Sequence, residues 1–190
     1  YYKSISTAYP FYNQDVAPGT EVIRPNVKFE NQSAYSYNIT ASTISAPTDV
    51  YKTYVMPRQE EGTLDLLFDL GSNFANKKIQ IILHFADIAA TSNSRLFNIK
   101  VQRVINGILT DQYLTTTGTV TDLITDANTD WEIFTLAGGN QKNFDVLFSN
   151  FNFDDNGRFR LIMPQGIPSN FGDHEAILNG IRIHDETATF

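Results

Sequence analysis

An all-β fold, a β-sandwich or jelly roll, is the class this sequence predicts, and three observations predict it. Seven or more short runs alternate apolar and polar residues with period two. Turn residues separate those runs at Asn106-Gly107, Gly138-Gly139 and Asn156-Gly157. No stretch sustains the three-to-four spacing of an amphipathic helix. Side chains alternate across a strand, so a period of two marks a surface with one buried face, and many short strands punctuated by turns build sandwiches rather than helical bundles.

Taken in order, the chain opens on an irregular aromatic-rich stretch, YYKSISTAYPFYNQD, and continues from Val16 to Asp49 through Pro, Gly, Ser, Thr and Asn. Only short candidate strands occur there, Glu21 to Ile23 and Ala34 to Ile39, so this part reads as loops crossing the sandwich face. In TLDLLFDLG, Leu64, Leu66, Phe68 and Leu70 share a face and Gly71 closes the strand. Between Lys77 and Asp111 two alternating runs, Ile79, Ile81, Leu83 and Phe85 and then Phe97, Ile99 and Val101, flank a short polar loop suited to displaying a binding surface. The Thr-rich segment Tyr113 to Asp130 reads as an edge strand with a loop, and Trp131 as packing at a sheet edge. Three further strands carry Phe144, Val146 and Phe148; Phe159, Leu161 and Met163; and Ile177, Ile181 and Ile183. Asn156-Gly157 reads as the hairpin turn between the first two of these.

At 190 residues, 42% hydrophobic and 13% aromatic, the chain fits one domain spanning residues 1–190, large enough to bury a core without covalent staples. A formal charge of −7 with a pI near 4.8 repels phosphate backbones and anionic lipid, which argues against nucleic acid and acidic membranes as partners. The absence of cysteine removes disulfides, thiolate nucleophiles and Cys-based metal sites together. No apolar run approaches the roughly 18 residues needed for membrane insertion. A start at Tyr1 with no leader-like apolar region is expected of a mature protein or a piece of a longer one.

The chemistry-bearing residues do not form a catalytic pattern, and no enzymatic activity is expected. His84, His174 and His184 are scattered, without the H-E-x-x-H metal spacing, and no G-x-S-x-G elbow or phosphate-binding loop occurs. His84 lies on the strand face opposite Ile81 and Leu83. The pairs Glu60-Glu61 and Asp154-Asp155 read as solvated turn acids rather than the facing carboxylates of a glycosidase. Asp154-Asp155-Asn156-Gly157 also offers oxygen ligands for a structural calcium ion, without the EF-hand spacing; no other cofactor is expected. Sequons at Asn31 and Asn38 are consistent with a secreted glycoprotein.

Carbohydrate recognition asks for exposed aromatic faces and hydroxyl-binding carboxylates or amides on loops. Tyr35, Tyr37, Tyr51 and Tyr54 cluster in the loop-rich N-terminal part. Three segments in order, VYKTY at Val50 to Tyr54, IILHFADI with RLFNIKV at Ile81 to Val101, and AILNGIRI at Ala176 to Ile183, resemble the malectin-like domains. The match is best over residues 50–186, with 1–49 as a loop-rich N-terminal part. This resemblance implies a β-sandwich with a cleft formed by loops at one side and a non-catalytic carbohydrate-binding module, extracellular or at the cell surface, whose partner is a glycan or polysaccharide. It also implies a ligand site of Tyr35, Tyr54, Phe171, Asp173 and His174. This chain departs from the family at Met56, Ala89 and Ala90, where the family places aromatic contacts. The alternative is a structural or adhesive module of an extracellular assembly that contacts neighbouring protein domains and binds no sugar.

Overall fold

The computed structural model describes residues 2–4, 27–31, 36–57, 63–87, 96–122, 131–164 and 176–185. Their main elements, in chain order, are β1 (Tyr2–Ser4), β2 (Val27–Asn31), α1 (Thr48–Tyr51), β3 (Thr53–Pro57), β4 (Thr63–Asp69), β5 (Lys78–Ala86), β6 (Leu96–Phe97) and β7 (Lys100–Ile105). These are followed by β8 (Ile108–Leu114), β9 (Val120–Thr121), β10 (Trp131–Glu132), α2 (Ile133–Ala137), β11 (Asn143–Asn152), β12 (Arg158–Pro164) and β13 (Gly180–Asp185). Two antiparallel sheets form the sandwich, one in the order β1-β13-β5-β11 and one in the order β4-β12-β7-β8-β9. Two short pairs, β2 with β3 and β6 with β10, stand beside them.

The alternation read from the sequence builds the core directly. Ile79, Ile81, Leu83 and Phe85 on β5 and Val146 and Phe148 on β11 meet Leu64, Leu66 and Phe68 on β4, Phe159, Leu161 and Met163 on β12, and Val101 on β7, all buried. Rings lock the layers together: Phe151 of β11 meets Phe159 of β12 edge-on at 5.3 Å, and Phe85 lies 6.2 Å from Phe97. Such pairs add to the area they bury because edge-to-face and offset geometries suit the ring quadrupoles.

Strand β5 is buried on both faces. Ile82, His84 and Ala86, on the parity opposite the sandwich core, are buried as well: Tyr51 meets His84, and Ala46, Val50 and Tyr51 of the segment 36–51 pack with Ala86. His84 therefore does occupy the second face, but that face is closed by a third layer. The sequence reading of loops crossing the sandwich holds for this segment, while β2 is a strand within the part read as irregular.

One turn falls as expected, while another turn and one aromatic are placed differently. Asn106-Gly107, with φ of 52° and 74°, is the hairpin turn joining β7 to β8. Asn156-Gly157 is not a hairpin, because β11 pairs with β5 in one sheet and β12 pairs with β4 and β7 in the other. The chain crosses between layers there. Asp154 shapes that corner, its Oδ1 accepting the amides of Asn156 at 2.8 Å and Arg158 at 2.7 Å. Trp131 packs from the two-stranded β6–β10 pair, but it is wholly buried in the main core, its Nε1 donating to the Leu114 carbonyl at 3.1 Å. Gly138, at φ 74°, ends α2, a role Gly performs without the Cβ penalty of the left-handed region.

Candidate functional site

Strand ends converge at one pole of the sandwich. Thr63 pairs with Pro164, the Pro164 carbonyl accepts the Asn98 amide at 3.3 Å, and β5 ends at Ala86 opposite Asn143. Val55 and Leu178 exchange backbone hydrogen bonds of 3.0 Å, which brings the end of β3 to the same pole. The connecting segments 58–62, 88–95 and 165–175 lie outside the described residues, and with them Phe171, Asp173, His174, Ala89 and Ala90; Tyr35 lies outside as well.

Of the residues expected to contact ligand, Tyr54 is placed. It stands opposite Glu30 in the β2–β3 ribbon and is buried at 4% exposure within the main core, as is Met56 at 3%. Its ring is packing, not an open stacking platform. Four consecutive positions of β3, Tyr54 to Pro57, are buried, so alternation could not separate an inward from an outward face.

What this pole does assemble is Tyr37, Asp87 and Tyr54. Burial first, then the Asp87 carboxylate and Tyr54, push the Tyr37 phenol well above the ordinary tyrosine range. Asp87, 2% exposed, follows directly on β5. The backbone of Gln141 joins the two: its amide donates to the Asp87 carbonyl at 3.0 Å and its carbonyl accepts the Asn38 amide at 2.8 Å. Gln141 holds φ at 59° to do so. Asp87 was not singled out in the sequence, although its place at the end of an apolar strand marks a carboxylate carried into the buried layer.

A second polar cluster lies on the outer face of β5. Asp145 of β11 accepts four hydrogen bonds: from Tyr51 Oη at 2.7 Å and His84 Nδ1 at 2.8 Å on Oδ1, and from Asn143 Nδ2 at 2.6 Å and Ser45 Oγ at 3.0 Å on Oδ2. Tyr51 Oη in turn accepts the Ala46 amide at 2.9 Å. Burial and the Asp145 carboxylate raise the Tyr51 phenol well above its ordinary range, so it stays a donor.

Serine, histidine and aspartate meet here without forming a relay. Nucleophilic catalysis needs the hydroxyl on the imidazole and the imidazole on the carboxylate. Here Ser45 and His84 both bond to Asp145, and the side chains of His84 and Asp145 are 1% and 3% exposed. The cluster is structural.

Among the described residues no group of three or more His, Asp or Glu side chains converges on one point. Asp154 and Asp155 are turned to backbone donors, Asp155 Oδ2 accepting the Gly107 amide at 2.9 Å. Among the described residues no helix is long and apolar enough to cross a membrane.

Comparison with known proteins defines the class. A profile of the family described as the Malectin-like domain matches residues 20–149, reaching back into the part that motifs matched poorly and stopping before β12. The chain belongs to the malectin-like domain family. Its fold is similar to the extracellular domain of ANXUR1 from Arabidopsis thaliana, with a TM-score of 0.58 and 19% identity over 82% of this chain and 37% of that one. It is also similar to the plant receptor-like kinase FER, at TM-score 0.52 and 16% identity over 82% of this chain and 38% of that one. A structure of the plant peptide RALF23 in complex with FER and LLG2 matches at TM-score 0.52 and 18% identity, over 82% of this chain and 38% of the other. The chain thus spans less than two fifths of these neighbours' length, and at such identity the likeness is one of fold. No curated protein sequence matches it significantly.

Proposed function

We propose that this chain is a non-catalytic recognition module of an extracellular or cell-surface protein, and that its partner is a protein or peptide. The observation that carries this reading is the pairing of a buried Tyr54 and Met56 with a fold shared by receptor ectodomains, one of them solved with a peptide and a second protein bound. Two aromatic positions that a sugar platform would use are spent differently here: one residue is core and the other is not aromatic. A formal charge of −7 favours a basic partner, since opposite net charge steers encounter and raises association rates. Neighbouring domains of a longer polypeptide are partners of the same kind.

The second reading is glycan binding, favoured by one observation, the Tyr37–Asp87 pair at the pole where strand ends converge. In that reading the expected ligand residues are Tyr35, Tyr54, Phe171, Asp173 and His174, of which Tyr54 alone is among the described residues. A carboxylate accepts from sugar hydroxyls, and the phenols beside it can donate to them.

One experiment separates the two. The chain is immobilised and presented with the plant peptide RALF23, and in parallel labelled and applied to an array of glucose disaccharides and plant and bacterial wall polysaccharides. Saturable, salt-sensitive peptide binding with a blank array supports the protein-recognition reading. Selective glycan binding with no peptide response overturns it in favour of the second.

A further inference from the structure

We propose that segment 36–51 is a strap that opens as a local unit, and that Asp145 is the pin that holds it shut. The strap crosses the outer face of the four-stranded sheet and rests on a small apolar cluster of its own, Ala46, Val50, Tyr51 and Ala86, with Tyr37 and Ile39 packed against it. That cluster is separate from the main core between the sheets. Cooperative units with few buried apolar contacts are the ones that open below the global unfolding free energy.

The strap's attachment is concentrated at a few points. Two of the four donors to Asp145, Ser45 Oγ and Tyr51 Oη, belong to the strap, and two, His84 and Asn143, belong to the sheet. Asn143 adds a reciprocal pair to Thr40, accepting its amide on Oδ1 at 2.7 Å and donating from Nδ2 to its carbonyl at 3.3 Å. At the far end the Asn38 amide bonds the Gln141 carbonyl. Among the described residues, Asn38 opposite Lys142 is the strap's sole bridge to a neighbouring strand position.

The other side of the strap is a fixed hinge. Asn179, fully buried, donates from Nδ2 to the carbonyls of Tyr51 at 3.0 Å and Thr53 at 3.1 Å and accepts the Ala86 amide on Oδ1 at 2.7 Å. Residues from Thr53 onward are tied into the β2–β3 ribbon and the main core, as is β2 before the strap, so motion is confined to residues 36–51. Opening would lift Tyr37 away from Asp87 and uncover Ala86 and His84. It needs no ligand, and it stands whichever partner the module takes.

The test is Asp145→Asn in the full chain. An amide nitrogen at one of the carboxylate positions turns an acceptor into a donor and faces two strap or sheet donors with no lone pair. Hydrogen–deuterium exchange should speed roughly tenfold or more at the Asn38, Thr40 and Ala46 amides while Leu83 and Phe85 in β5 keep their wild-type protection. Nitration by tetranitromethane, mapped by mass spectrometry, should accelerate at Tyr37 and Tyr51 and not at Tyr54. Ser45→Ala, which removes one strap donor and leaves the sheet donors in place, should move the same amides in the same direction by less. Equal acceleration in strap and sheet, or none in the strap, would overturn the proposal.

Discussion

The Tyr51 hydroxyl donates to Asp145 Oδ1 at 2.7 Å, joining residues 94 positions apart in the chain and fastening a short helical turn to the sheet beneath it. The same oxygen atom of Tyr51 accepts the Ala46 amide, so one phenol closes its own loop and anchors it.

Removing that hydroxyl should be costly for a single atom. Tyr51→Phe keeps the ring but strands the Ala46 amide and takes a donor from a buried carboxylate, for an expected loss of about 2 kcal/mol. Urea denaturation of the variant and the wild type, with unchanged m-value, measures it.

Alkaline pH should leave this anchor intact over most of its range. Tyr51 and Tyr37 both have phenols raised above the ordinary tyrosine value of 10.0. A raised folded-state pKa means the unfolded chain loses the proton first, so the stabilisation is complete below pH 10.0 and is lost as pH climbs from there through the folded values. A near-ultraviolet absorbance titration should show Tyr37 and Tyr51 ionising late, and Tyr51→Phe should remove one late-titrating phenol.

Two glycines in the left-handed region should respond differently to Ala. Gly107 at φ 74° has open space around a Cβ, so Gly107→Ala costs only backbone strain, about 1 kcal/mol. Gly157 at φ 76° lies against the Gly71 carbonyl, where a Cβ would collide with main chain that cannot swing away. Gly157→Ala should therefore cost about 3 kcal/mol or more, and thermal unfolding of the two variants side by side checks the difference.

Trp131 is a built-in reporter, being the single tryptophan and wholly buried. Its fluorescence should be blue-shifted and poorly quenched by acrylamide until the main core unfolds. Trp131→Phe should lose about 2 kcal/mol through the vacated volume and the unmet Leu114 carbonyl. If Asp145→Asn opens the strap alone, Trp131 emission should not move.

Alternation identified the strands because β4, β7 and β12 each bury one side, with Leu161 and Val101 on the inward parity, although on β7 the buried Arg103 shares that parity. The malectin-like resemblance rested on strand motifs of that same core, and the family match bears it out. The site was less legible. Tyr54 and Met56 sit on a strand with four consecutive buried positions, where period two carries no information about which side faces a ligand.

Local sequence thus determined the sandwich class, the inward faces of most strands and the Asn106-Gly107 hairpin, because each depends on residues two to four positions apart. Tertiary structure decided the rest. Whether Asn156-Gly157 joins partners in one sheet or crosses between two depends on strand order, and whether His84 meets water depends on a segment some forty residues earlier folding over it. Trp131 is central rather than peripheral because Phe97, Phe85, Phe144 and Phe148 converge on it from distant positions. The Asp145 pin gathers Ser45, Tyr51, His84 and Asn143 from three separate stretches of chain, a constellation that no spacing along the sequence could announce.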